Sequence, residues 1–465
     1  MEKAKGRLKL QDGSTIAVIG AGPAGTFFSH FAREYARESS RKARIVIFDG
    51  KNFLSPGPVG CNLCAGVIAE TLIDKMQASG IQIPSQRIQS WIEGYCLCTA
   101  EGMFHLKHPR GTASIATVYR GNGPRFSTSE EHISFDDFLL KRLESEEVEV
   151  IPLPVREVHL GQTSEERARI IYGDQKERRE LEVDLIVGAF GLNTTLLGKI
   201  KGVIPGYSPP QTLLTALAEI ELPPEEIGER FRGEIFILTL GKGRIRFAAL
   251  VPKHNHVTLS LIPFRDIGKE DIHEFLNNPM VRQVFPPGWN PPERFCFCFS
   301  RISTTEAKNP FGDRIVLIGD ASYSRYYKNG LESAFLTAQL AAQTAFNHGI
   351  SAAHFRRTYL KGARRLIAND NYYGKLTFAV YELTNRIGLL SKAQRDIRRN
   401  PDGGPETQLR FIFWNMFTGN IPYREIFYKF ALSRLQLKYG VVALRLIFAK
   451  LLEKLRFGRK SHGTS

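Results

Sequence analysis

The distribution of apolar residues predicts strands that alternate with helices along much of the chain. The run Ile16–Ile19 predicts a first strand, and a helical pattern of apolar positions follows it. The run "ARIVIFDG" predicts a second strand, and "DRIVLIGDA" predicts a late strand that leads into a loop and a helix near residue 330. This order of elements indicates an α/β fold.

Two later parts of the chain show other patterns. Residues 233–264 contain apolar runs of period two around a "GKG" turn, which predicts a β-hairpin within a sheet. From about residue 346 onward the pattern is helical and rich in aromatic residues. We therefore expect a β-rich part of the molecule and a helical C-terminal part.

A G-x-G-x-x-G motif connects the first predicted strand to its helix. Gly20 permits a tight turn, Gly22 lets the backbone approach a pyrophosphate, and Gly25 lets the helix pack closely on the strand. The helix N-terminus then faces the phosphates. Asp49 ends the second strand, where a carboxylate accepts hydrogen bonds from ribose hydroxyls. The residues predicted to contact a dinucleotide are Gly20, Gly22, Pro23, Ala24, Gly25 and Asp49.

A second signature follows the late strand, which ends in Gly319 and Asp320 and leads to a helix that starts near Gly330. Together the two signatures resemble those of FAD enzymes with the p-hydroxybenzoate hydroxylase-like fold, and within them the geranylgeranyl reductase family. The resemblance covers roughly residues 14–375. It implies that FAD is the cofactor, that Asp320 lies near its ribityl or pyrophosphate group, and that Asn329 and Gly330 hold the isoalloxazine ring.

Two further segments resemble the reductases. "VYRGNGPR" precedes "SFDDFLLKRL", as an arginine-bearing loop precedes a helix in that family, which implies that Arg120 or Arg125 faces the flavin. A solvated arginine is the alternative for each. "PVGCNLCAG" falls where archaeal-type reductases carry a loop rich in cysteine and glycine along the flavin.

One departure from related sequences concerns the electron donor. After the strand "DLIVG", Phe190 stands where relatives carry an acid that is linked to FAD and NADPH handling. The sequence has no second G-x-G-x-x-G unit for a separate NADPH domain. The donor is therefore left open between NAD(P)H and a ferredoxin-like protein.

Cys61 and Cys64 form a C-x-x-C pair ahead of "AGVIAETLIDKM", which begins like a helix. A helix N-terminus stabilises a thiolate, and such a pair can form a short-loop disulfide that exchanges electrons with a flavin. We predict these two cysteines as catalytic residues. A thiol that only shapes the substrate site and an inert turn are the alternatives.

The other cysteines form two C-x-C pairs, Cys96 with Cys98 and Cys296 with Cys298, each on one face of a predicted strand. Zinc or an iron–sulfur cluster could use any two pairs, but C-x-C on a strand is not a usual metal spacing. Buried cysteine commonly serves as a small hydrophobe, so we predict no metal site.

Composition and charge narrow the class of protein. The 465 residues are 43% hydrophobic and 24% charged, which suits one large or two interleaved domains. The basic first residues lack the apolar core of an export signal, no run of about 18 apolar residues predicts a membrane span, and six cysteines are too few for a disulfide scaffold. We expect a cytoplasmic protein.

The positive charge is concentrated near the C-terminus. Residues 391–465 contain 15 Lys and Arg against 5 Asp and Glu, which gives +10 of the formal +16. In residues 441–457 the cations alternate with apolar residues at helical spacing, which suits either an anionic membrane surface or the protein's own core. The same mixture makes a nucleic-acid partner the least favoured reading.

These patterns predict a Rossmann-like FAD domain interleaved with a β-rich substrate domain, plus a helical C-terminal region. The predicted boundaries are 14–75, 115–205 and 300–345 for the FAD domain, 76–114 and 206–299 for the substrate domain, and 346–465 for the C-terminal region.

The leading hypothesis is an FAD-dependent oxidoreductase that reduces carbon–carbon double bonds of an isoprenoid or lipid-like substrate at the inner face of a membrane. The alternative is a flavin monooxygenase or halogenase, and an RNA-binding flavoprotein ranks last. Candidate proton donors are Cys61, Cys64, Tyr323, Tyr326 and Tyr327.

Overall fold

The computed structural model describes residues 8–431, except for residues 100–101, 109–114, 128–131, 145–147, 162, 164, 175, 240–242, 328, 387, 390–391, 394 and 396–403. The basic, partly apolar tail at residues 441–457 lies outside the described residues.

The molecule is built from nineteen described strands and thirteen described helices. In chain order the strands are β1 Ser14–Ile19, β2 Ala43–Phe48, β3 Val67–Ile68, β4 Ile88–Ile92, β5 Gly94–Thr99, β6 Gly102–Lys107, β7 Ile115–Val118, β8 Val148–Ile151, β9 Val155–His159, β10 Ala168–Gly173, β11 Arg178–Val183, β12 Leu185–Gly188, β13 Thr212–Glu221, β14 Glu234–Leu238, β15 Ile245–Pro252, β16 His256–Pro263, β17 Cys296–Ser303, β18 Phe311–Gly312 and β19 Ile315–Leu317.

The helices are α1 Pro23–Glu38, α2 Glu70–Ala78, α3 Phe135–Lys141, α4 Leu196–Val203, α5 Pro224–Phe231, α6 Lys269–Leu276, α7 Pro279–Arg282, α8 Gly330–Asn347, α9 Ala352–Phe355, α10 Lys361–Ala363, α11 Asn369–Arg386, α12 Gly404–Thr418 and α13 Tyr423–Ala431. Two π-helical turns, Arg356–Leu360 and Arg364–Ala368, join α9, α10 and α11. None of the described helices has both the length and the apolar character that crossing a membrane requires.

A six-stranded sheet carries the predicted dinucleotide unit. Its strand order is β18-β19-β12-β1-β2-β8, and all neighbouring strands are parallel except β18 and β19. Helices α1, α3 and α8 cover one face of this sheet, and the antiparallel sheet β11-β10-β9 covers the other. Burial on both faces explains why its strands are short apolar runs without alternation.

Helices α1 and α8 lie side by side on the parallel sheet. Phe335 of α8 makes edge-to-face contacts with Phe27 and Phe31 of α1, at centroid distances of 5.1 and 5.0 Å. α1 begins directly after β1, and α8 begins a short loop after β19. The N-termini of both helices therefore lie at the carboxyl edge of the sheet.

A seven-stranded sheet forms the second layer, in the order β17-β13-β16-β15-β14-β5-β6. One face packs against α5, α6 and α7, and the other packs against α11, α12 and α13. The predicted hairpin is present as the antiparallel pair β14 and β15. β17 runs from Cys296 to Ser303 and spans residue 300. The domain boundaries from the sequence stay predictions.

A chain of alternating charges connects these layers to the C-terminal helices. Lys75 of α2 contacts Glu332 of α8 at 2.6 Å, and Glu332 contacts Arg325 at 3.3 Å. Arg325 donates to Asp370 of α11 at 3.2 Å and to the carbonyl oxygen of Gly419 at 2.9 Å. Asp370 also accepts from the backbone N–H groups of α13 at residues 423 and 424. Of these side chains, Arg325, Glu332 and Asp370 are buried.

Removal of one buried charge should therefore destabilise the protein strongly. We expect Asp370→Ala to lower the free energy of unfolding by about 3–5 kcal/mol, because it leaves the guanidinium of Arg325 partly uncompensated. The matched control is Glu149→Ala, which removes the exposed ion pair with Arg44 and should cost less than about 1 kcal/mol. Urea titration measures both values, and equal losses for the two variants would contradict the assignment.

Candidate functional site

A cavity of about 620 Å³ lies between the parallel sheet and the seven-stranded sheet. Its walls come from the carboxyl edge of the parallel sheet, from the loop at residues 62–66 and from the inner face of the seven-stranded sheet. The predicted site residues that line it are Gly20, Gly22, Pro23, Ala24, Asp49, Cys64, Arg120, Gly319, Asp320, Asn329 and Gly330.

The glycine turn has no room for side chains at two of its positions. Gly20 has φ +110°, and a Cβ there would lie 2.6 Å from the carbonyl oxygen of Ala189. A Cβ on Gly25 would lie 1.9 Å from the carbonyl oxygen of Gly20. Gly25 is not one of the cavity-lining residues, because its position serves the close packing of α1 on β1. Gly22 is the residue that directly precedes α1 and lines the cavity.

The segment that begins at Gly319 packs closely against the glycine turn and α1. Gly319 has φ +64°, and a Cβ there would lie 3.0 Å from Cβ of Ala24 in α1. Asn329 precedes α8 in the left-handed conformation, with φ 51°. A Cβ on Gly330 would lie 3.6 Å from a carboxylate oxygen of Asp320. The first turns of α1 and α8 therefore border the same space, where unpaired helix N–H groups favour an anion.

Asp49 lies at the end of β2, next to the glycine turn. Its carboxylate accepts from the backbone N–H of Ala21 at 2.7 Å and from that of Lys51 at 2.9 Å. Burial raises the pKa of this carboxyl, and the two backbone hydrogen bonds act in the opposite direction. The side chain is thus fixed in orientation at the wall of the cavity.

The two arginines that the resemblance offered have different positions. Arg120 is buried and lines the cavity, and it donates to Asp136 of α3 from Nε at 2.5 Å and from Nη2 at 2.9 Å. Burial alone would lower the pKa of Arg120, but the carboxylate of Asp136 outweighs burial, so the pKa is raised. Arg125 is exposed and is not one of the cavity-lining residues.

The "CNLC" loop is held against the cavity from three directions. Nζ of Lys51 donates to the carbonyl oxygen of Cys61 and to Oδ1 of Asn62, both at 2.9 Å. Nδ2 of Asn62 donates to Asp136, and Nη1 of Arg120 lies 3.3 Å from Sγ of Cys64. Cys64 lines the cavity, whereas Cys61 lies behind it and is not part of the lining.

The expectation that a helix follows the cysteine pair directly is wrong. Val67–Ile68 forms strand β3, which pairs with β7, and α2 begins only at Glu70. The cysteine pair therefore does not lie at the start of α2, and the predicted stabilisation of a thiolate by that helix loses its premise. Burial and the neighbouring Cys64 raise the pKa of the Cys61 thiol, so Cys61 is a protonated thiol at neutral pH. The catalytic role assigned to this pair stays a prediction.

The far end of the cavity is apolar. Its wall is the inner face of β14 and β15, together with Tyr95 of β5, Phe417 of α12 and Tyr327 from the loop before α8. The side chains contributed by β14 and β15 are Ile235, Ile237, Phe247, Ala249 and Val251. Part of the aromatic C-terminal region, at Phe417, therefore lines the cavity.

Sequence reasoning missed three polar residues that organise the site. Asp136, Asn62 and Lys51 connect α3, the "CNLC" loop and β2 through the contacts described above. The segment "FDD" that contains Asp136 is typical of an ordinary helix start, with Ser134 as its cap. Nothing in their local sequence indicates that these three residues meet.

The burial of Asp320 predicts how the stability of the protein depends on pH. Burial raises the pKa of its carboxyl, whereas Ser324 and the charge of Arg120 act in the opposite direction. Because the pKa of this carboxyl is higher in the folded state than in the unfolded state, its contribution to stability is fully present below the unfolded-state pKa. The contribution is lost as pH rises through the folded-state pKa. Asp320→Asn should therefore raise the melting temperature of the ligand-free protein at pH 7, and the gain should vanish below about pH 4.

Differential scanning fluorimetry across pH checks this outcome. The control is Asp174→Asn at an exposed loop, where backbone hydrogen bonds from residues 177 and 176 lower the pKa, so the substitution should give no gain at pH 7. An unchanged or lowered melting temperature for Asp320→Asn at pH 7 would be evidence against a buried carboxylate at this position.

No protein-family model and no curated protein sequence matches this chain. Several solved structures share its fold. It is similar to a flavoprotein/dehydrogenase from Cytophaga hutchinsonii, at 16% identity and a TM-score of 0.63, over 93% of this chain and 99% of that chain. It is also similar to a geranylgeranyl bacteriochlorophyll reductase-like protein from Thermoplasma acidophilum, at 14% identity and a TM-score of 0.59, over 81% and 90% of the two chains.

A third similar structure is p-nitrophenol 4-monooxygenase from Pseudomonas putida, at 13% identity and a TM-score of 0.57. The alignment covers 84% of this chain and 98% of that chain. Reductase-like, dehydrogenase and monooxygenase proteins therefore all share this architecture. The fold predicted from the sequence is confirmed: this chain has the fold of the flavin-dependent oxidoreductases.

Proposed function

We propose that this chain is an FAD-dependent oxidoreductase whose cofactor lies in the cavity between the two large sheets. The observation that carries the proposal is that the glycine turn at residues 20–25 and the segment at residues 319–330 border the same cavity. The resemblance to FAD enzymes rests on these two segments, which are about 300 residues apart in the chain. An FAD that contacts both groups of residues, as the resemblance implies, requires them on one surface.

The residues of the cavity fit an anionic dinucleotide. The first turn of α1 contains no acidic residue, and the acid in the first turn of α8, Glu332, is compensated by Lys75 and Arg325. A Cβ on Gly22 would lie 3.1 Å from Nδ2 of Asn62, so a side chain there would enter the gap between the turn and the "CNLC" loop. That gap is where the backbone would receive a pyrophosphate.

In this proposal Gly20, Gly22 and the N-terminus of α1 hold the pyrophosphate, and Asp49 accepts from ribose hydroxyls. Asp320 binds the ribityl region, and the backbone at Asn329 and Gly330 binds the ring. When bound, FAD supplies hydride transfer, and the chain supplies orientation, exclusion of water and a proton. Arg120 is the charged group at the wall beside Cys64.

We further propose that the substrate is isoprenoid or lipid-like and that a carbon–carbon double bond in it is reduced. The support is the apolar wall from β14 and β15, which lines the same cavity as the predicted ring-binding residues. The similar fold of the geranylgeranyl bacteriochlorophyll reductase-like protein agrees with this substrate class. The basic, partly apolar C-terminal sequence supports work at an anionic membrane surface.

Reduction of a double bond also requires a proton donor, and Tyr327 is the best placed of the candidates. Its ring lines the apolar end of the cavity, and its hydroxyl accepts a hydrogen bond from Nη1 of Arg246 at 2.5 Å. Arginine only donates, so this contact does not use the proton of the hydroxyl, which hydrogen-bonds Tyr326. Burial and the hydrogen bond with Tyr326 raise the pKa of Tyr327, so the group stays protonated at neutral pH. Tyr323 and Tyr326 are not part of the lining.

A flavin monooxygenase or halogenase is the second candidate, because the p-nitrophenol monooxygenase shares the fold to nearly the same extent as the reductase-like protein. Product analysis under ¹⁸O₂ separates the two. Incorporation of labelled oxygen into an aromatic or other organic product would favour the monooxygenase. Saturation of a double bond under strict anaerobiosis would favour the reductase.

The experiment that tests the proposal is cofactor analysis followed by an anaerobic reductive titration. We expect one FAD per chain, released on denaturation, and uptake of two electrons per flavin if Cys61 and Cys64 are structural. Uptake of four electrons, or a charge-transfer band, would make this pair a redox-active dithiol. A folded sample that binds no flavin after incubation with FAD would rule the proposal out.

A matched pair of glycine variants makes this test specific. Gly22→Leu should weaken FAD binding at least tenfold, because the new side chain fills the gap beside Asn62. Gly198→Leu is the control, since a Cβ on Gly198 has no neighbouring atom within 4 Å and the residue does not line the cavity. Equal flavin content in the two variants would place the cofactor elsewhere.

The tyrosine assignment predicts a selective loss of turnover. Tyr327→Phe should lower the rate of double-bond reduction about 100-fold while FAD content stays unchanged, because the ring is kept and only the proton donor is lost. The rate is measured as reoxidation of the reduced enzyme by polyprenyl substrates under argon. Tyr323→Phe is the control, because Tyr323 is a candidate donor that does not line the cavity. A similar loss in both variants would exclude Tyr327 as the specific donor.

A further inference from the structure

Three side chains with metal-binding atoms meet on the face of the seven-stranded sheet that points away from the cavity. They are Cys96 on β5, His105 on β6 and Glu234 on β14, which are three neighbouring strands. One donor atom of each lies within 4.8 Å of the other two. Nδ1 of His105 lies 2.6 Å from Oε2 of Glu234. Three strands thus contribute one thiol, one imidazole and one carboxylate to a single point.

The strand register explains the convergence. Cys96 lies directly opposite His105 in the antiparallel pair β5 and β6, and opposite Phe236 in the parallel pair β5 and β14. Glu234 is two residues before Phe236 and therefore lies on the same face of the sheet. Alternation turns Tyr95 to the opposite face, where it lines the cavity.

A second thiol lies beside that of Cys96 but is not part of the cluster. Sγ of Cys98 is 3.9 Å from Sγ of Cys96, yet it does not lie within 4.8 Å of all three donor atoms. Ligands of one tetrahedral zinc ion lie within about 4 Å of one another. The sulfur–sulfur distance is also too long for a disulfide. The cluster therefore offers three protein ligands, and Cys98 packs beside it.

Burial and exposure also suit a bound cation. Cys96 and Cys98 are at most 1% exposed, and the side chain of Glu234 is 8% exposed. The carboxylate of Glu234 is buried beside the thiol of Cys96, and a bound cation would compensate its negative charge. The side chain of His105 is 51% exposed because β6 is the edge strand of the sheet, so a metal ion can enter from solvent on that side.

We propose that Cys96, His105 and Glu234 bind a zinc ion, with a water molecule on the exposed side of β6 as the fourth ligand. One thiolate, one imidazole and one carboxylate are ligands that zinc accepts in tetrahedral geometry. The hydrogen bond between His105 and Glu234 is replaced by a bond from each to the metal. The thiol of Cys96 loses its proton to solvent as its sulfur binds the metal, and no electrons are transferred. The ion ties the edge hairpin β5–β6 to β14. The proposal departs from the sequence prediction of no metal site, which considered the C-x-C spacing.

The test is the zinc content of protein purified without a histidine tag, under reducing conditions and without chelator. Plasma mass spectrometry should find close to one zinc per chain. Cys96→Ser and His105→Ala should each lose most of it. The matched control is Cys296→Ser, which removes a cysteine from the C-x-C pair of the same spacing on β17 and should keep the zinc.

A second measurement identifies the ligands. Cobalt(II) added to the zinc-free protein should give the absorption of a tetrahedral thiolate site, with sulfur-to-metal charge-transfer bands that are absent in Cys96→Ser. Wild-type protein that holds no zinc and takes up neither zinc nor cobalt would overturn the proposal. Zinc retained in full by both Cys96→Ser and His105→Ala would do the same, because the ion would then be bound elsewhere.

Two features keep the result independent of folding and of the proposed enzyme activity. His105 is half-exposed, so His105→Ala removes a ligand without opening the core. Flavin content is measured on the same samples, and we expect it to stay unchanged, because the zinc site lies on the opposite face of the sheet from the cavity. Loss of zinc with retained flavin supports the site, while loss of both together in His105→Ala would contradict a separate structural site.

Discussion

The chain of charges from Lys75 through Glu332 and Arg325 to Asp370 is the interaction on which the rest of the arrangement depends. It places two cations and two anions in alternation, so the buried members compensate one another. It also removes the electrostatic effect of an acid in the first turn of α8. The N-terminus of that helix therefore remains attractive to an anion although it carries Glu332.

The same interaction explains how distant parts of the chain form one cavity. Arg325 lies in the loop that precedes α8, and its partners hold the C-terminal helices against the inner face of the seven-stranded sheet. That sheet in turn closes the cavity that the parallel sheet opens at its carboxyl edge. The polar end and the apolar end of the cavity are thus positioned by a single buried network.

Local motifs in the sequence were sufficient to predict the parallel strands, the glycine turn and the position of Asp49 at the end of the second strand. Each of these features depends on residues within about 30 positions of one another. Contacts between distant segments were not predictable in this way. Asn62 meets Asp136, and Cys96 meets Glu234, only because of strand order and register, which single-sequence periodicity does not specify. The expected helix after Cys64 failed for the same reason, since β3 forms by pairing with β7.

Substitutions on the two faces of the seven-stranded sheet have different consequences. Along β14, Ile235 and Ile237 face the cavity, whereas Phe236 and Leu238 pack against the helices on the other side. Substitutions at the first set alter the shape offered to a ligand, and substitutions at the second set alter the stability of the scaffold. A lineage can therefore change the molecule that it recognises through alternate positions of one strand while its architecture persists. This suits a fold shared by a reductase-like protein and a monooxygenase.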